Sequence, residues 1–299
     1  MAIKGLKNPE WMEQPKAGNP VTKTDHLTRK FEDLAYGPED LQKLDIYLPE
    51  EGEGPFPTIL MFHGGGLMYC DKHDFHLYPL LYALKEGFAV AAVNYRLLPK
   101  VDYPTPVYDA YKSLLYLYEN GAEYGLDVEN FFLWGTSGGG NLSLMCAMKE
   151  GMVLPPELAD AKKVPVRGTA ALCAEATVTE FGAKIGSVSD QAQTWVLKAT
   201  LYLSCFKTLR PKEKQTKPYD IFQYLPAGIA PLYIQHGDLD PAVPYTQSVR
   251  LFEEAGKVLA PEDLVLDTLV GASHAGNGVD YFLPENVLPI VEFFRAHMV

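Results

Sequence analysis

Short apolar runs alternate along this chain with longer segments that have helical periodicity. The runs are rich in β-branched and aromatic residues and are nearly continuous in apolar residues, which is typical of strands covered on both faces. This alternation predicts an α/β fold in which a mostly parallel central sheet is flanked by helices. The predicted strands cover residues 44–48, 58–63, 88–95, 131–134, 169–173, 231–236 and 264–270.

Two prolines bear on the predicted helices. Apolar residues recur at helical spacing from Val107 to Tyr118, just after Pro106, and proline is favoured in a first helical turn. A closing helix is predicted over residues 285–299, where Pro289 is expected to kink or delay it.

The length of 299 residues and the hydrophobic content of 47% suffice for one large core, so one principal domain is expected. Two segments fit the alternation poorly, namely residues 1 to about 35 and about 176–220. We assign both to a small helical cap over the carboxyl ends of the strands, where open α/β sheets bind ligands. Ordinary surface helices are the alternative.

Charge and composition limit the partners. A formal net charge of -12 and a sequence pI near 5.1 argue against nucleic acid and an anionic membrane surface. The first residues lack the apolar core of a secretory signal, and no apolar run has transmembrane length, so a soluble cytoplasmic protein is predicted. Its four cysteines lack metal-binding spacing and are expected to be reduced core residues. We predict no cofactor and no metal.

One further segment contains several side chains that bind metals elsewhere. The stretch "CDKHDFH" includes Asp71, His73, Asp74 and His76. These residues do not form a four-ligand set with a known spacing, so a solvated loop is the preferred interpretation.

A single serine stands among glycines in "FFLWGTSGGGNLSLMCAM", which has the order strand, sharp turn, helix. Residues 135–139 match G-x-S-x-G, the pattern of a strained turn that exposes the hydroxyl of the serine, here Ser137. The helix that follows directs its first N–H groups and positive dipole end toward this position. Taken alone, the pentapeptide fits catalysis and close packing of a helix on a sheet equally well.

A second glycine run favours catalysis. Gly64, Gly65 and Gly66 follow another predicted strand, but they lack the Lys-Ser/Thr ending of a phosphate-binding loop. They fit an H-G-G-G loop whose backbone N–H groups stabilise the oxyanion of an acyl-transfer reaction. The expected donors are the amides of Gly65, Gly66 and Gly138, while His63 is expected to fix the loop by hydrogen bonding.

An acid and a histidine follow the serine in the order required for a triad. "PLYIQHGDLDPAVP" ends a predicted strand with Asp238 and Asp240, and the next predicted strand is followed by His274 in a small-residue loop. His274 would accept the proton of Ser137, and a carboxylate would orient the imidazole. We choose Asp240 as that carboxylate and expect Asp238 to stabilise its loop.

With these motifs in order, the chain resembles the α/β-hydrolase superfamily, specifically the branch of hormone-sensitive-lipase-like and feruloyl-esterase-like carboxylesterases. The resemblance covers roughly residues 40–299, and we expect a single α/β-hydrolase domain over residues 1–299. The resemblance implies Ser137 as nucleophile, Asp240 as acid, His274 as base, and an oxyanion hole from the amides of the three glycines named above. The matching segments are "HGGG" at 63–66, "NYRLLPKVDYPTPVYDA" at 94–110, "GTSGGGNL" at 135–142 and "HGDLDPAVPYTQS" at 236–248.

The expected function is that of a serine carboxylesterase which hydrolyses small, short-acyl-chain esters through an acyl-enzyme, with acetylated carbohydrates and hydroxycinnamoyl esters among the candidate substrates. Arylformamidase or peptidase activity with the same triad stays open, as does a catalytically silent ligand-binding relative. The expected partner is a small-molecule ester, with no nucleic acid and no membrane. Formation of a homodimer is left open.

Overall fold

The computed structural model of the chain describes residues 12–13, 20–148, 154, 158, 163–177, 220–274 and 281–299. Its centre is an eight-stranded sheet in the order β10-β9-β8-β7-β5-β6-β4-β3, and a separate two-stranded ribbon joins β1 and β2. The strands are β1 Met12–Glu13, β2 Val21–Thr22, β3 Lys30–Ala35, β4 Lys43–Tyr47, β5 Phe56–Phe62, β6 Ala89–Val93, β7 Leu126–Thr136, β8 Val166–Leu172, β9 Leu232–Gly237 and β10 Leu264–Leu269.

Six neighbouring strands of this sheet, in the spatial order β10-β9-β8-β7-β5-β6, pair in parallel. At the other end of the sheet, β4 pairs antiparallel with β6 and β3 pairs antiparallel with β4. All the strands predicted from apolar runs are present, so the prediction of an α/β fold with a mostly parallel sheet is confirmed. The carboxyl ends of β5, β7, β8, β9 and β10 therefore meet at one edge of the sheet.

Helices cover both faces of the sheet. In the described part of the chain the α-helices are α1 Leu80–Lys85, α2 Thr105–Asn120, α3 Gly138–Ala147, α4 Thr246–Ala255 and α5 Pro284–Ala296. Successive residues of β5 alternate between two cores, with Leu60 facing the core of α2, α3 and α4 and Met61 facing that of α1 and α5. Burial on both faces explains why β5 and β6 are almost entirely apolar.

The closing helix departs from the sequence prediction in one respect. It begins at Pro284 and continues through Pro289, so Pro289 does not delay its start. An interior proline costs a helix about 3 kcal/mol or more. The buried side chains of Ile290, Val291 and Phe294 offset that cost by packing against the sheet.

The N-terminal part of the cap assignment needs a correction. Lys30–Ala35 pairs with β4 as the outermost strand of the sheet, so these residues do not belong to a cap. Edge strands tolerate charged residues, and the sequence "KFEDLA" therefore lacks the apolar pattern that revealed the other strands. Residues 1–11, 14–19 and 178–219 lie outside the described residues, and a cap formed by them stays a prediction.

Two further expectations concern membranes and cysteines. Among the described residues, no helix has both the length and the apolarity needed to cross a membrane. Cys146 and Cys173 are buried and Cys70 is partly buried, and all three carry free thiols. Cys205 lies outside the described residues.

Candidate active site

The turn between β7 and α3 holds Ser137 in an unusual backbone conformation. Its φ is 55° and its ψ is -119°, a region that costs a residue with a side chain about 1–3 kcal/mol. The Ser137 N–H donates to the carbonyl of Leu172 at 2.8 Å, which fixes the turn against the end of β8. The strained turn thus directs the hydroxyl away from the strand and the helix that flank it.

Small residues around Ser137 allow three backbone segments to meet. A Cβ atom on Gly139 would lie 2.1 Å from the carbonyl oxygen of Phe62, so α3 can begin against the end of β5 only with glycine there. A Cβ atom on Gly138 would lie 3.0 Å from the Leu67 nitrogen and 3.1 Å from the Gly66 Cα atom. The glycines therefore do allow close packing of α3 on the sheet, as one of the two interpretations of the sequence predicted. This packing places Gly66 next to Gly138.

The loop after β5 carries the other predicted donors. Gly65, Gly66 and Leu67 have φ values of 94°, 60° and 59°, so three successive residues adopt left-handed backbone. Such turns gather backbone N–H groups into a concave anion site, and the first N–H groups of a helix such as α3 have no intrahelical partner. The glycine loop and the start of α3 together can stabilise negative charge beside Ser137.

Two side-chain pairs support this glycine loop. The rings of His63 and Tyr95 stack at 4.3 Å between centroids, and the Tyr95 hydroxyl donates to the His63 carbonyl at 2.8 Å. On the other side, the His76 Nδ1–H donates to the Asp74 carboxylate at 2.6 Å. A Cβ atom on Gly64 would lie 2.6 Å from the His76 Nε2 atom, so this pair packs directly against the loop.

The prediction of a solvated loop over "CDKHDFH" is therefore wrong. Lys72, Asp74 and His76 are all buried. Ion pairing compensates their burial, since the Lys72 ammonium contacts the Asp45 carboxylate at 2.8 Å. Burial disfavours ionised Asp74, but the nearby charge of His76 and the hydrogen bonds from it hold the pKa of that carboxyl below its ordinary value.

Ser137, His274 and Asp240 form a hydrogen-bonded chain. The His274 Nδ1 atom lies 2.6 Å from the Asp240 Oδ2 atom, and its Nε2 atom lies 3.0 Å from the Ser137 Oγ atom. Because the carboxylate can only accept, Nδ1 carries the proton and Nε2 is left to accept one from the serine. This is the geometry that a general base needs to activate a hydroxyl.

Asp240 is buried but well supplied with donors. Its Oδ1 atom accepts from the N–H groups of Ala242 at 2.7 Å and Val243 at 2.9 Å. Burial disfavours the ionised form, but the positive charge of His274 and the hydrogen bonds from His236 and His274 hold the pKa of Asp240 well below its ordinary range. The carboxylate is therefore ionised at neutral pH.

The contact between Asp240 and His274 shifts the pKa of His274 in the opposite direction. Burial disfavours the imidazolium, but the negative charge of Asp240 outweighs this and raises the pKa of His274 well above its ordinary value. Asp240 therefore stabilises the cation that forms when His274 accepts a proton. Asp238 takes no part in these hydrogen bonds. Its Oδ1 atom instead accepts from the Gly271 N–H at 2.7 Å.

Sequence reasoning missed two residues that lie beside the hydrogen-bonded set of Ser137, His274 and Asp240. The His236 Nε2 atom lies 3.0 Å from the Asp240 Oδ2 atom, and its Nδ1 atom lies 2.6 Å from the Ser248 Oγ atom. The Cys173 sulfur lies within 4.8 Å of a His274 nitrogen and of an Asp240 carboxylate oxygen. The placement of His236 in the motif "HGDLD" was a usable signal for a role beside Asp240, whereas Cys173 looked like an ordinary residue of a buried strand.

A mostly parallel sheet covered on both faces, with a serine on a strained turn after a central strand, defines the chain as an α/β-hydrolase. Its sequence matches the family model described as BD-FAE over residues 44–255. The chain belongs to this family of α/β-hydrolase esterases, and it fits the hormone-sensitive-lipase-like carboxylesterase branch. The resemblance seen in the motifs is thereby confirmed.

Several curated proteins share part of this sequence. Versiconal hemiacetal acetate esterase of Dothistroma septosporum is 35% identical over 44% of this chain and 39% of its own length. Carboxylesterase NlhH of Mycobacterium tuberculosis is 35% identical over 34% of this chain and 32% of its own. Kynurenine formamidase of Danio rerio is 29% identical over 40% of this chain and 39% of its own. The chain thus spans well under half the length of these relatives.

Solved structures share the fold over nearly the whole chain. A truncated carbohydrate esterase from gut microbiota superposes with a TM-score of 0.74 at 20% identity, covering 93% of this chain and 99% of that one. Esterase 2 of Thermogutta terrifontis, with butyrate bound, gives a TM-score of 0.69 at 20% identity over 91% of this chain and 95% of that one. At these identities the likeness establishes the α/β-hydrolase fold.

Proposed function

We propose that the chain is a serine carboxylesterase that hydrolyses small, short-acyl-chain esters through an acyl-enzyme. The observation that carries the proposal is the hydrogen-bonded chain from the Ser137 Oγ atom through His274 to Asp240. The amides of Gly65, Gly66 and Gly138 act as the oxyanion hole.

In the first half-reaction, the Ser137 oxygen attacks the ester carbonyl while the His274 Nε2 atom takes the hydroxyl proton. The carbonyl oxygen gains negative charge, which the backbone N–H groups of the glycine loop and of α3 stabilise. His274 then returns its proton to the departing alcohol, and the acyl group stays on Ser137. Asp240 holds the imidazole in the required tautomer and stabilises its transient positive charge.

In the second half-reaction, water replaces the alcohol. The His274 Nε2 atom takes a proton from water, which attacks the acyl carbonyl, and the same N–H groups stabilise the second oxyanion. His274 then protonates the Ser137 oxygen as the acid leaves. The enzyme returns to its starting state.

Short acyl groups are supported by two of the similar proteins. The Dothistroma septosporum relative is named as an acetate esterase, and the Thermogutta terrifontis structure holds butyrate. Among natural esters, acetylated carbohydrates are the first class to examine because the gut-microbiota neighbour is a carbohydrate esterase. Hydroxycinnamoyl esters are the second class.

The decisive experiment measures hydrolysis of p-nitrophenyl esters from acetyl to dodecanoyl. Ser137→Ala should abolish turnover, and kcat/KM of the unmodified chain should fall as the acyl chain lengthens. Ser113→Ala is the matched control, because Ser113 is a buried serine of α2 whose hydroxyl donates to Ala110. Turnover that survives in folded Ser137→Ala would overturn the nucleophile, and a preference for dodecanoyl would overturn the substrate class.

The kynurenine formamidase of Danio rerio favours a second candidate, the hydrolysis of an aryl formamide by the same residues. The reaction differs in its leaving group, an amine that His274 must protonate as the C–N bond breaks. Release of formate from an N-formyl arylamine, compared with release of acetate from an aryl acetate, decides between the two. A kcat/KM higher for the formamide would make the chain an arylformamidase.

A further inference from the structure

A buried thiol lies beside the proposed base. Cys173 directly follows β8, its side chain is fully buried, and its φ of 38° is one that residues with side chains rarely adopt. Its N–H donates to the Gln235 carbonyl at 2.8 Å, which fixes it against the end of β9. The preceding residue, Leu172, accepts from the Ser137 N–H, so Cys173 lies next to the nucleophile turn.

The Cys173 thiol forms a cluster with the side chains of His274 and Asp240. The Cys173 sulfur, a His274 nitrogen and an Asp240 carboxylate oxygen all lie within 4.8 Å of one another. Thiolate, imidazole and carboxylate are the three ligand types that zinc binds in proteins, at bond lengths of about 2.0–2.3 Å. Those lengths separate tetrahedral ligand atoms by roughly 3.3–3.7 Å. To hold an ion, the His274 Nδ1 and Asp240 Oδ2 atoms, now 2.6 Å apart, would have to separate by about 1 Å, and the Cys173 sulfur would have to approach them by up to about 1 Å.

We propose that Cys173, His274 and Asp240 form an inhibitory site for a thiophilic divalent cation, of which Zn²⁺ is the representative. Three protein ligands leave a fourth position for water, as in open zinc sites. Soft sulfur together with imidazole selects zinc over magnesium and calcium, which prefer sets of oxygen ligands. His274 is the member through which the cation enters, because 12% of its side chain is exposed whereas the Asp240 side chain is fully buried.

Binding of the cation stops catalysis whichever nitrogen of His274 it takes. A neutral imidazole has one lone pair. If the ion binds Nε2, that atom cannot accept the Ser137 proton, and if it binds Nδ1, the proton moves to Nε2 with the same result. The Cys173 thiol loses its proton to solvent when its sulfur binds the ion. No bond to Ser137 is needed, so the inhibition is reversed when a chelator removes the ion.

The inhibition test depends on the proposed esterase activity and uses p-nitrophenyl acetate. Zn²⁺ should inhibit the unmodified chain and EDTA should restore the rate. Cys173→Ser should weaken inhibition by more than about tenfold, because even residues one shell beyond the ligands cost that much metal affinity. Cys70→Ser is the matched control, since Cys70 lies in a second cluster with Asp74 and His76. Each inhibition constant is referred to the uninhibited rate of the same variant.

A second measurement needs no activity and separates this inference from the proposed function. The inactive Ser137→Ala chain is titrated with Co²⁺, and a thiolate-to-cobalt charge-transfer absorption is expected with one ion per chain. The band should persist when Cys70→Ser is added and vanish when Cys173→Ser is added, with folding of each variant checked by circular dichroism. If the Cys173 variant does not fold, persistence of the band in the Cys70 variant supports the site. Absence of the band, its loss with Cys70, or undiminished Zn²⁺ inhibition of folded Cys173→Ser overturns it.

Discussion

The Nε2 atom of His236 lies 3.0 Å from the Oδ2 atom of Asp240, the same oxygen that His274 contacts. Nε2 also lies 3.1 Å from the Val243 carbonyl, and both of these partners can only accept, so Nε2 carries a proton. The other ring nitrogen then accepts from the Ser248 hydroxyl. His236 is therefore a positioning residue that holds the carboxylate for His274.

Replacing His236 tests this role. His236→Leu removes a hydrogen bond to a charged group, worth about 1.5–3 kcal/mol, and should lower kcat by roughly 10- to 100-fold with little change in KM. His236→Gln keeps an N–H donor near the Nε2 position and should recover most of the loss. Steady-state kinetics on p-nitrophenyl acetate check both. Equal losses in the two folded variants would mean that the ring only fills space.

The two aspartates near the end of β9 should respond differently to substitution. Asp240→Asn should lower kcat by about three to four orders of magnitude, because the amide no longer fixes the tautomer of His274 or stabilises its cation. Asp238→Asn should keep most of the activity, since Asp238 contacts the backbone of Gly271. The reverse ranking, measured on folded variants, would assign the acid to Asp238.

The Asp240→Asn substitution should also shift the pH profile of kcat/KM. His274 acts as a base only when neutral, so kcat/KM falls as the pH drops through the pKa of His274. Asp240 raises that pKa, and removing its charge lowers it. The acid limb of residual Asp240→Asn activity should therefore move to lower pH than in the unmodified chain. A limb that moves to higher pH, or not at all, contradicts the assigned pairing.

The contact between Gly138 and the glycine loop predicts the effect of one added methyl group. Gly138→Ala places a Cβ atom 3.0 Å from the Leu67 nitrogen and should push the loop out of position. Losing one oxyanion donor costs about 10²- to 10³-fold in kcat, and a loss of that order is expected. Gly87→Ala is the control, because Gly87 has a φ of 87° and open space around its Cβ position. That variant should lose stability and keep its kcat.

Sequence alone predicts the central sheet because β6 and residues 131–134 of β7 are buried at every position and wholly apolar, and their neighbours are nearly so. It also predicts which strand ends carry Ser137, Asp240 and His274, because parallel strands bring those ends to one edge. It does not predict β3, whose exposed edge allows charged residues. The burial of Asp74 and His76 is likewise hidden, since the compensating contact between them exists only in the folded chain.

The strain at Ser137 gives a prediction about stability. Glycine adopts mirror-image β backbone readily, and the φ of 55° and ψ of -119° at this position fall in that region. Ser137→Gly and Ser137→Ala both remove the hydroxyl, but only glycine relieves the strain of about 1–3 kcal/mol. Part of that gain is offset by the greater freedom of glycine in the unfolded chain, about 0.5–1 kcal/mol. Ser137→Gly should therefore be more stable than Ser137→Ala by about 1 kcal/mol in urea unfolding, with equal m values. A glycine variant that is the less stable of the two would mean that the turn stores no strain at this residue.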